Sequence, residues 1–133
     1  MTRLDDCRFP MYWVHEYFAR MFSLLKRKEI QNMAETLKQE AKRLLADVPE
    51  EYVFGCCDGQ ILRNMKELGD ALNTMTDETY AFHANTEKND FSNWVKDIIK
   101  DGMLANDLQK ATNQAQAAKL VANRMAILSK RLA

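Results

Sequence analysis

The sequence predicts a mainly α-helical fold: a small helical domain with one short β-hairpin at about residues 52–63 and a long N-terminal helix. Three observations predict it. Only four glycines and two prolines occur in 133 residues, so long stretches lack the residues that break helices. Apolar residues recur three and four apart through most of the chain, the spacing that gathers them on one side of a helix. A single Asp58-Gly59 pair, flanked by the short apolar runs Tyr52–Cys57 and Ile61-Leu62, carries a hairpin signal.

The first helix is expected from Pro10, which a helix tolerates at its first position, to about Ala46, with neither Gly nor Pro between. Met11, Val14, Phe18, Met21, Phe22 and Leu25 form one apolar series. Ile30, Met33, Leu37, Ala41, Leu44, Leu45 and Val48 form a second. The step between the series spans Lys26-Arg27-Lys28-Glu29, where either a bend or a turn between antiparallel helices would fit. The absence of Gly, Asn or Pro there favours one continuous helix of about 36 residues, roughly 54 Å at 1.5 Å per residue. Pro49 ends it and biases Val48 toward extended backbone.

In the hairpin, the Asp-Gly pair is expected as a two-residue turn with both residues at positive φ. Two strands alone are marginal, so the hairpin must lie against helices. Asn64 caps a helix through Met75, with Met65, Leu68, Ala71, Leu72 and Met75 on one side. Thr76 or Asp77 caps a short helix to about Ala84 that carries Tyr80 and Phe82. Asn89 or Asp90 caps the next, with Phe91, Trp94, Val95, Ile98 and Ile99 as its apolar stripe, until Asp101-Gly102 interrupts. Leu104, Ala105 and Leu108 mark a further helical segment. Thr112 or Asn113 caps the last helix, which carries Ala117, Leu120, Val121, Arg124 and Leu128. The organisation expected is a single domain over 1–133, an aromatic-rich helical arm over 1–48 joined to a hairpin and helical core over 49–133.

Over residues 61 to 108 the chain carries K-E-L-x-D-A-L, then M-x-D-E-T, then H-x-N-x-E-K-N-D-F-x-N-W-V-x-D-I, then L-A. This stretch, with the hairpin before it, resembles an archaeal and bacterial domain family that carries only an uncharacterised-function label. The resemblance covers roughly residues 52–110, and the string Lys88-Asn89-Asp90-Phe91-Ser92-Asn93-Trp94-Val95 is its most specific part. It implies a small helical domain often found beside other modules, and it implies no reaction.

Nineteen basic and nineteen acidic residues leave no net charge, which argues against a general grip on nucleic acid or anionic lipid. Lys26-Arg27-Lys28 and Lys130-Arg131 are short basic clusters that solvated helix faces explain. Hydrophobic residues make up 47% of the chain, enough for a real core. No apolar run approaches the roughly 20 residues of a membrane span. The N-terminal MTRLDDCRFP is not a secretory signal, so a cytoplasmic location is expected.

Two groups of residues are candidates for function. His83, Asn85, Asn89, Asp90, Asn93 and Asp97 form a polar cluster, with Asp90, Asn93 and Asp97 on one face of a helix. It is either a small-ligand or enzymatic site, with His83 and Asp90 as an acid–base pair, or a set of caps and loop ties. No nucleophile or oxyanion donor completes a catalytic set, and phosphate loops, G-x-S-x-G and H-E-x-x-H are absent. The other candidate is the aromatic helix, with Phe9, Tyr12, Trp13, Tyr17, Phe18, Met21 and Phe22 covering more than one stripe. Such a helix is enclosed on several sides by its own domain or docks a partner. The function expected is a non-catalytic protein–protein interaction or adaptor module, a subunit of a larger cytosolic complex. Its partner surface, for another protein or for self-association into an oligomer, is Tyr12, Trp13, Tyr17, Phe18, Met21 and Phe22.

No cofactor or metal is expected. Cys7, Cys56, Cys57, His15 and His83 lack paired zinc-ligand spacing, and neighbouring cysteines in a strand point to opposite sides. Purified protein should therefore hold no stoichiometric zinc by elemental analysis, and chelator should leave its melting temperature unchanged. One zinc per chain with unfolding on chelation is the contrary result.

Overall fold

In a computed structural model, the backbone of residues 2–133 and the side chains of residues 20, 21 and 23–133 are described. The fold is mainly α, with six helices and one two-stranded antiparallel hairpin among the described residues. The chain divides into two compact units, Met1–Leu37 and Lys38–Ala133.

Helix α1 covers Thr2–Leu45 and runs unbroken through Lys26-Arg27-Lys28-Glu29, four residues with good helix propensity. The alternative of two antiparallel helices is excluded. Its start corrects the expected boundary. Pro10 lies inside the helix rather than at its first position, because the run Thr2–Phe9 has no breaker and the helix extends back through it. In the second unit the last turns of α1 bury Ala41 and Leu44, at 0% and 1% exposure. Pro49 then opens a short 3-10 turn over Glu50–Tyr52.

Strands β1 (Phe54–Gly55) and β2 (Ile61–Leu62) pair Phe54 with Leu62 and Gly55 with Ile61. The turn between them differs from the expected type. Gly59 has φ +93° whereas Asp58 is not at positive φ. The Gly59 amide bonds to the Cys56 carbonyl at 3.0 Å and the Cys56 amide to the Gln60 carbonyl at 2.8 Å. This is a three-residue loop, Cys57-Asp58-Gly59, with glycine alone in the left-handed position. The Asp58 carboxylate supports it by accepting from the Gln60 amide at 3.0 Å, which an aspartate does from ordinary negative-φ geometry.

Helix α2 (Met65–Thr74) is capped by Asn64, α3 (Asp77–His83) by Thr76, α4 (Asp90–Trp94) by Asn89 and α6 (Gln114–Leu132) by Asn113. In each, the cap oxygen accepts from the amide three residues on, filling a donor the helix leaves free. Met65, Leu68, Leu72, Leu104, Leu108, Val121 and Leu128 make the fully buried centre of the core. Helices α2 and α6 lie close: a Cβ added at Gly69 would stand 3.2 Å from Val121 Cγ1. Gln114 donates from its side chain to the Leu72 carbonyl at 2.6 Å and also to that of Met75. The end of α2 is thereby tied to the start of α6.

Helix α4 does not continue as a regular helix to Ile99. Val95–Ile99 forms a π turn, and Lys100 follows at φ 68°, in the left-handed region. The amides of Lys100 and Asp101 both reach the Val95 carbonyl, at 2.7 and 3.1 Å. Asp101 then caps α5 (Gly102–Lys110): its Oδ1 accepts from the Leu104 amide at 3.2 Å. Its Oδ2 accepts from Arg124 Nε on α6 at 2.7 Å, with side-chain exposures of 2% and 11%. Arg43 of α1 donates to the Ile99 carbonyl at 3.2 Å, satisfying a group that the π turn leaves over.

The Asp101–Arg124 pair joins α5 to α6 inside the core, and removing one partner strands a buried charge. Arg124→Leu should cost about 3–5 kcal/mol in chemical denaturation. Combining it with Asp101→Asn, which keeps the cap oxygen and discharges the site, should recover part of that loss. No recovery in the double variant would mean that the buried charge is not the cause.

Candidate functional site

The polar cluster assembles where the hairpin meets α3 and α4. His83 ends α3 and is buried at 5% exposure. Its ring packs on Phe54 of β1 at 5.1 Å, on Phe91 of α4 at 5.3 Å and on Phe82 at 5.0 Å between centroids. Both ring nitrogens are engaged. The Cys57 backbone amide donates to Nε2 at 3.0 Å, so Nε2 carries a lone pair and the proton sits on Nδ1. Nδ1 in turn lies 3.0 Å from Asp90 Oδ2 and donates to it. One tautomer is specified by its two partners.

Asp90 also accepts from Lys88 Nζ at 3.0 Å, and the same ammonium stands 4.9 Å over the exposed Phe82 ring. Partial burial works to raise the Asp90 carboxyl. The hydrogen bonds from His83 and Lys88, with the Lys88 charge, outweigh it and hold the group below the usual carboxylate range.

Asn85 and Asn89 build the connection between α3 and α4. Asn85 Oδ1 accepts from the amides of Glu87 and Lys88 at 2.9 and 3.1 Å, while its Nδ2 donates to the Ala81 carbonyl at 3.1 Å. Asn89 Oδ1 caps α4 through the Ser92 amide at 3.0 Å, and its Nδ2 donates to the Leu108 carbonyl at 3.0 Å. Asn93 and Asp97 stand on exposed turns outside this network. Of the six cluster residues, the fold thus joins His83 to Asp90, spends Asn85 and Asn89 on backbone groups, and leaves Asn93 and Asp97 on the surface. As a base, His83 would act through Nε2, the atom already bonded to the Cys57 amide.

Sequence reasoning passed over Cys57 and Lys88 as partners of this cluster. Lys88 lies two residues from Asp90 and was legible from proximity. Cys57 is 26 residues from His83 and acts through its backbone, which no side-chain pattern reports. The two hairpin cysteines do face differently: Cys56 is buried and Cys57 exposed. Burial and the nearby Asp58 push the Cys56 thiol up. Among the described residues, no three His, Cys, Asp or Glu side chains are grouped to hold a metal ion. Cys7 and His15 lie outside the described side chains.

The aromatic surface is only partly in view. The side chains of Phe9, Tyr12, Trp13, Tyr17, Phe18 and Phe22 lie outside the described residues. Met21 is 47% exposed, and Leu24, Leu25, Ile30, Met33 and Leu37 further along α1 are exposed at 59, 54, 60, 65 and 36%. A cleft of about 390 Å³ runs between α5 and α6 over Lys110, Ala111, Lys119 and Leu120, and its lining includes none of the polar cluster. Among the described residues no helix is long and apolar enough to cross a membrane.

No protein-family model matches the chain, and neither curated proteins nor solved structures show a significant match to it.

The Asp90 contacts have a defined pH dependence. A carboxyl whose folded pKa is depressed contributes stability that is complete above its unfolded value and is lost as pH falls through the folded one. The wild type should therefore lose this increment only below about pH 4. In melting-temperature profiles, Asp90→Asn should sit below wild type at neutral pH and converge with it at the acid end. Parallel curves across the whole range would show that the charge contributes nothing.

Proposed function

We propose that the protein is a non-catalytic helical interaction module that holds a protein partner, or a further copy of itself, on α1 within a larger assembly. The observation that supports this most is the set of large apolar side chains exposed on α1: Met21, Leu24, Leu25, Ile30, Met33 and Leu37. Water-exposed apolar residues at this density on one helix are a docking feature, and Met and Leu adapt readily to a partner surface. Tyr12, Trp13, Tyr17, Phe18 and Phe22 belong to the same proposed surface by sequence. The polar cluster supports the reading from the other side, because His83, Asn85 and Asn89 spend their polar atoms on the fold itself. In this reading the module is cytoplasmic, binds no nucleic acid and works as an adaptor.

Ile30→Glu with Met33→Glu tests it, since both side chains are exposed and the folded core does not require them. Light scattering after size exclusion should find the wild type as an oligomer or with a partner recovered from native lysate. The double variant should be monomeric and alone, with an unchanged melting temperature. A wild type that is a clean monomer at low micromolar concentration and recovers no partner would overturn the reading.

A further inference from the structure

The turn Cys56–Gln60 is held to the helices in an unusual way. Its two backbone bonds, Cys56 to Gln60 and Gly59 to Cys56, are internal, as is the bond from Gln60 to the Asp58 carboxylate. Among the described residues, one hydrogen bond leaves the turn for another element: the Cys57 amide to Nε2 of His83. That bond requires an unprotonated Nε2. A proton there would set two N–H groups against each other at 3.0 Å, turning an attraction into a repulsion. The other side of the ring responds oppositely. Asp90 stands 3.0 Å from Nδ1 and holds an imidazolium at least as well as an imidazole.

We propose that His83 is a proton-operated latch, which holds the hairpin turn while Nε2 is free and releases it when Nε2 is protonated, the ring itself remaining on Asp90. The charged and titratable groups around the ring are consistent with this asymmetry. On the α4 side stand Asp90 and Lys88, which already bind one another at 3.0 Å. On the hairpin side stand the thiols of Cys56 and Cys57 and the Asp58 carboxylate. Asp58 accepts from the Gln60 amide within the turn. Tyr80 of α3 packs on Phe91 at 5.8 Å. The released segment is short, because Phe54 and Leu62 stay anchored by burial at 8% and 2% exposure. Release would loosen the peptide planes of residues 56–60 and uncover Cys56, whose side chain is otherwise buried.

Ring ¹⁵N resonances and amide exchange measured on the same full-length sample test the latch, between about pH 8 and about pH 4.5, where histidine titrates and Asp90 stays charged. At the upper end Nε2 should resonate as an unprotonated nitrogen. As it protonates, protection of the Cys57 amide, corrected for intrinsic exchange, should fall about tenfold, the scale of one hydrogen bond. The amides of Leu68 and Val121 in the α2–α6 core should not change. His83→Gln, which offers a non-titrating acceptor, should hold the Cys57 amide equally at both ends. Constant protection of Cys57 while Nε2 protonates would overturn the proposal, as would a ring that stays neutral through the range or a proton found on Nε2 at the upper end. These measurements on the wild type decide the matter even if the glutamine variant fails to fold.

Discussion

Phe91 is the residue on which three otherwise weak pieces of structure lean. It is 1% exposed, and its ring meets Phe54 of the hairpin at 5.2 Å, Tyr80 of α3 at 5.8 Å and His83 at 5.3 Å. Two paired residues per strand cannot form a stable hairpin in water, and helices of seven and five residues are below the length that stands alone. The hairpin and α3 become stable by burying aromatic rings against Phe91, and α4 by burying Phe91 itself among them. Trp94 closes the group, meeting Phe54 at 5.8 Å and donating its indole N–H to the Tyr52 carbonyl at 2.8 Å. The polar atoms of His83 and Trp94 thereby position the segment before the hairpin and the turn within it, while their rings supply the apolar area.

The parts of this fold that were legible in the sequence are those whose cause is local. Asn64, Thr76, Asn89 and Asn113 each cap the helix that follows them, because a cap is an oxygen acting three residues away. The apolar sides of α2, α5 and α6 follow from spacing for the same reason. Illegible were the features whose partners meet only in three dimensions. Arg124 reads as a polar break in an apolar helix until Asp101 of another helix is found 2.7 Å from it. The π turn at Val95–Ile99 leaves no signature in a stripe that a regular helix would share, and Lys100 in the left-handed region is a position where glycine is the usual choice. The Asp58-Gly59 signal located the hairpin correctly and misjudged its loop by one residue, since a lone left-handed glycine serves either turn.

The candidate site shows the same division. The cluster's residue types were readable, but their roles depend on what each polar atom faces. Two asparagines that look like ligand-binding groups in sequence are held on backbone amides and carbonyls. His83 beside Asp90 looks like an acid–base pair until Nε2 is seen to carry a backbone amide. A histidine held at both nitrogens resists rotation and stays in one tautomer, which is a structural asset at a junction of short elements. It also makes the junction sensitive to a single proton, because among the described residues the acceptor that the Cys57 amide uses is the one that a proton would remove.

Helix α1 presents a different kind of constraint, one of phase. At about 100° per residue, Ile30, Met33 and Leu37 fall on one side of the helix, and all three are exposed. The five-residue step from Leu25 to Ile30 turns the apolar side by about 140°, so Met21 and Leu25 lie on another side. Ile30, Met33 and Leu37 thus make one exposed row along α1, and a second row starts beyond the charged run. Two apolar rows in different directions cannot both be satisfied by one flat neighbour. Under the function proposed above, a partner for α1 would have to wrap around the helix or come as more than one element. That requirement fits an assembly of helices better than a single groove, and it follows from one uninterrupted helix carrying a break in its pattern at Lys26-Arg27-Lys28-Glu29.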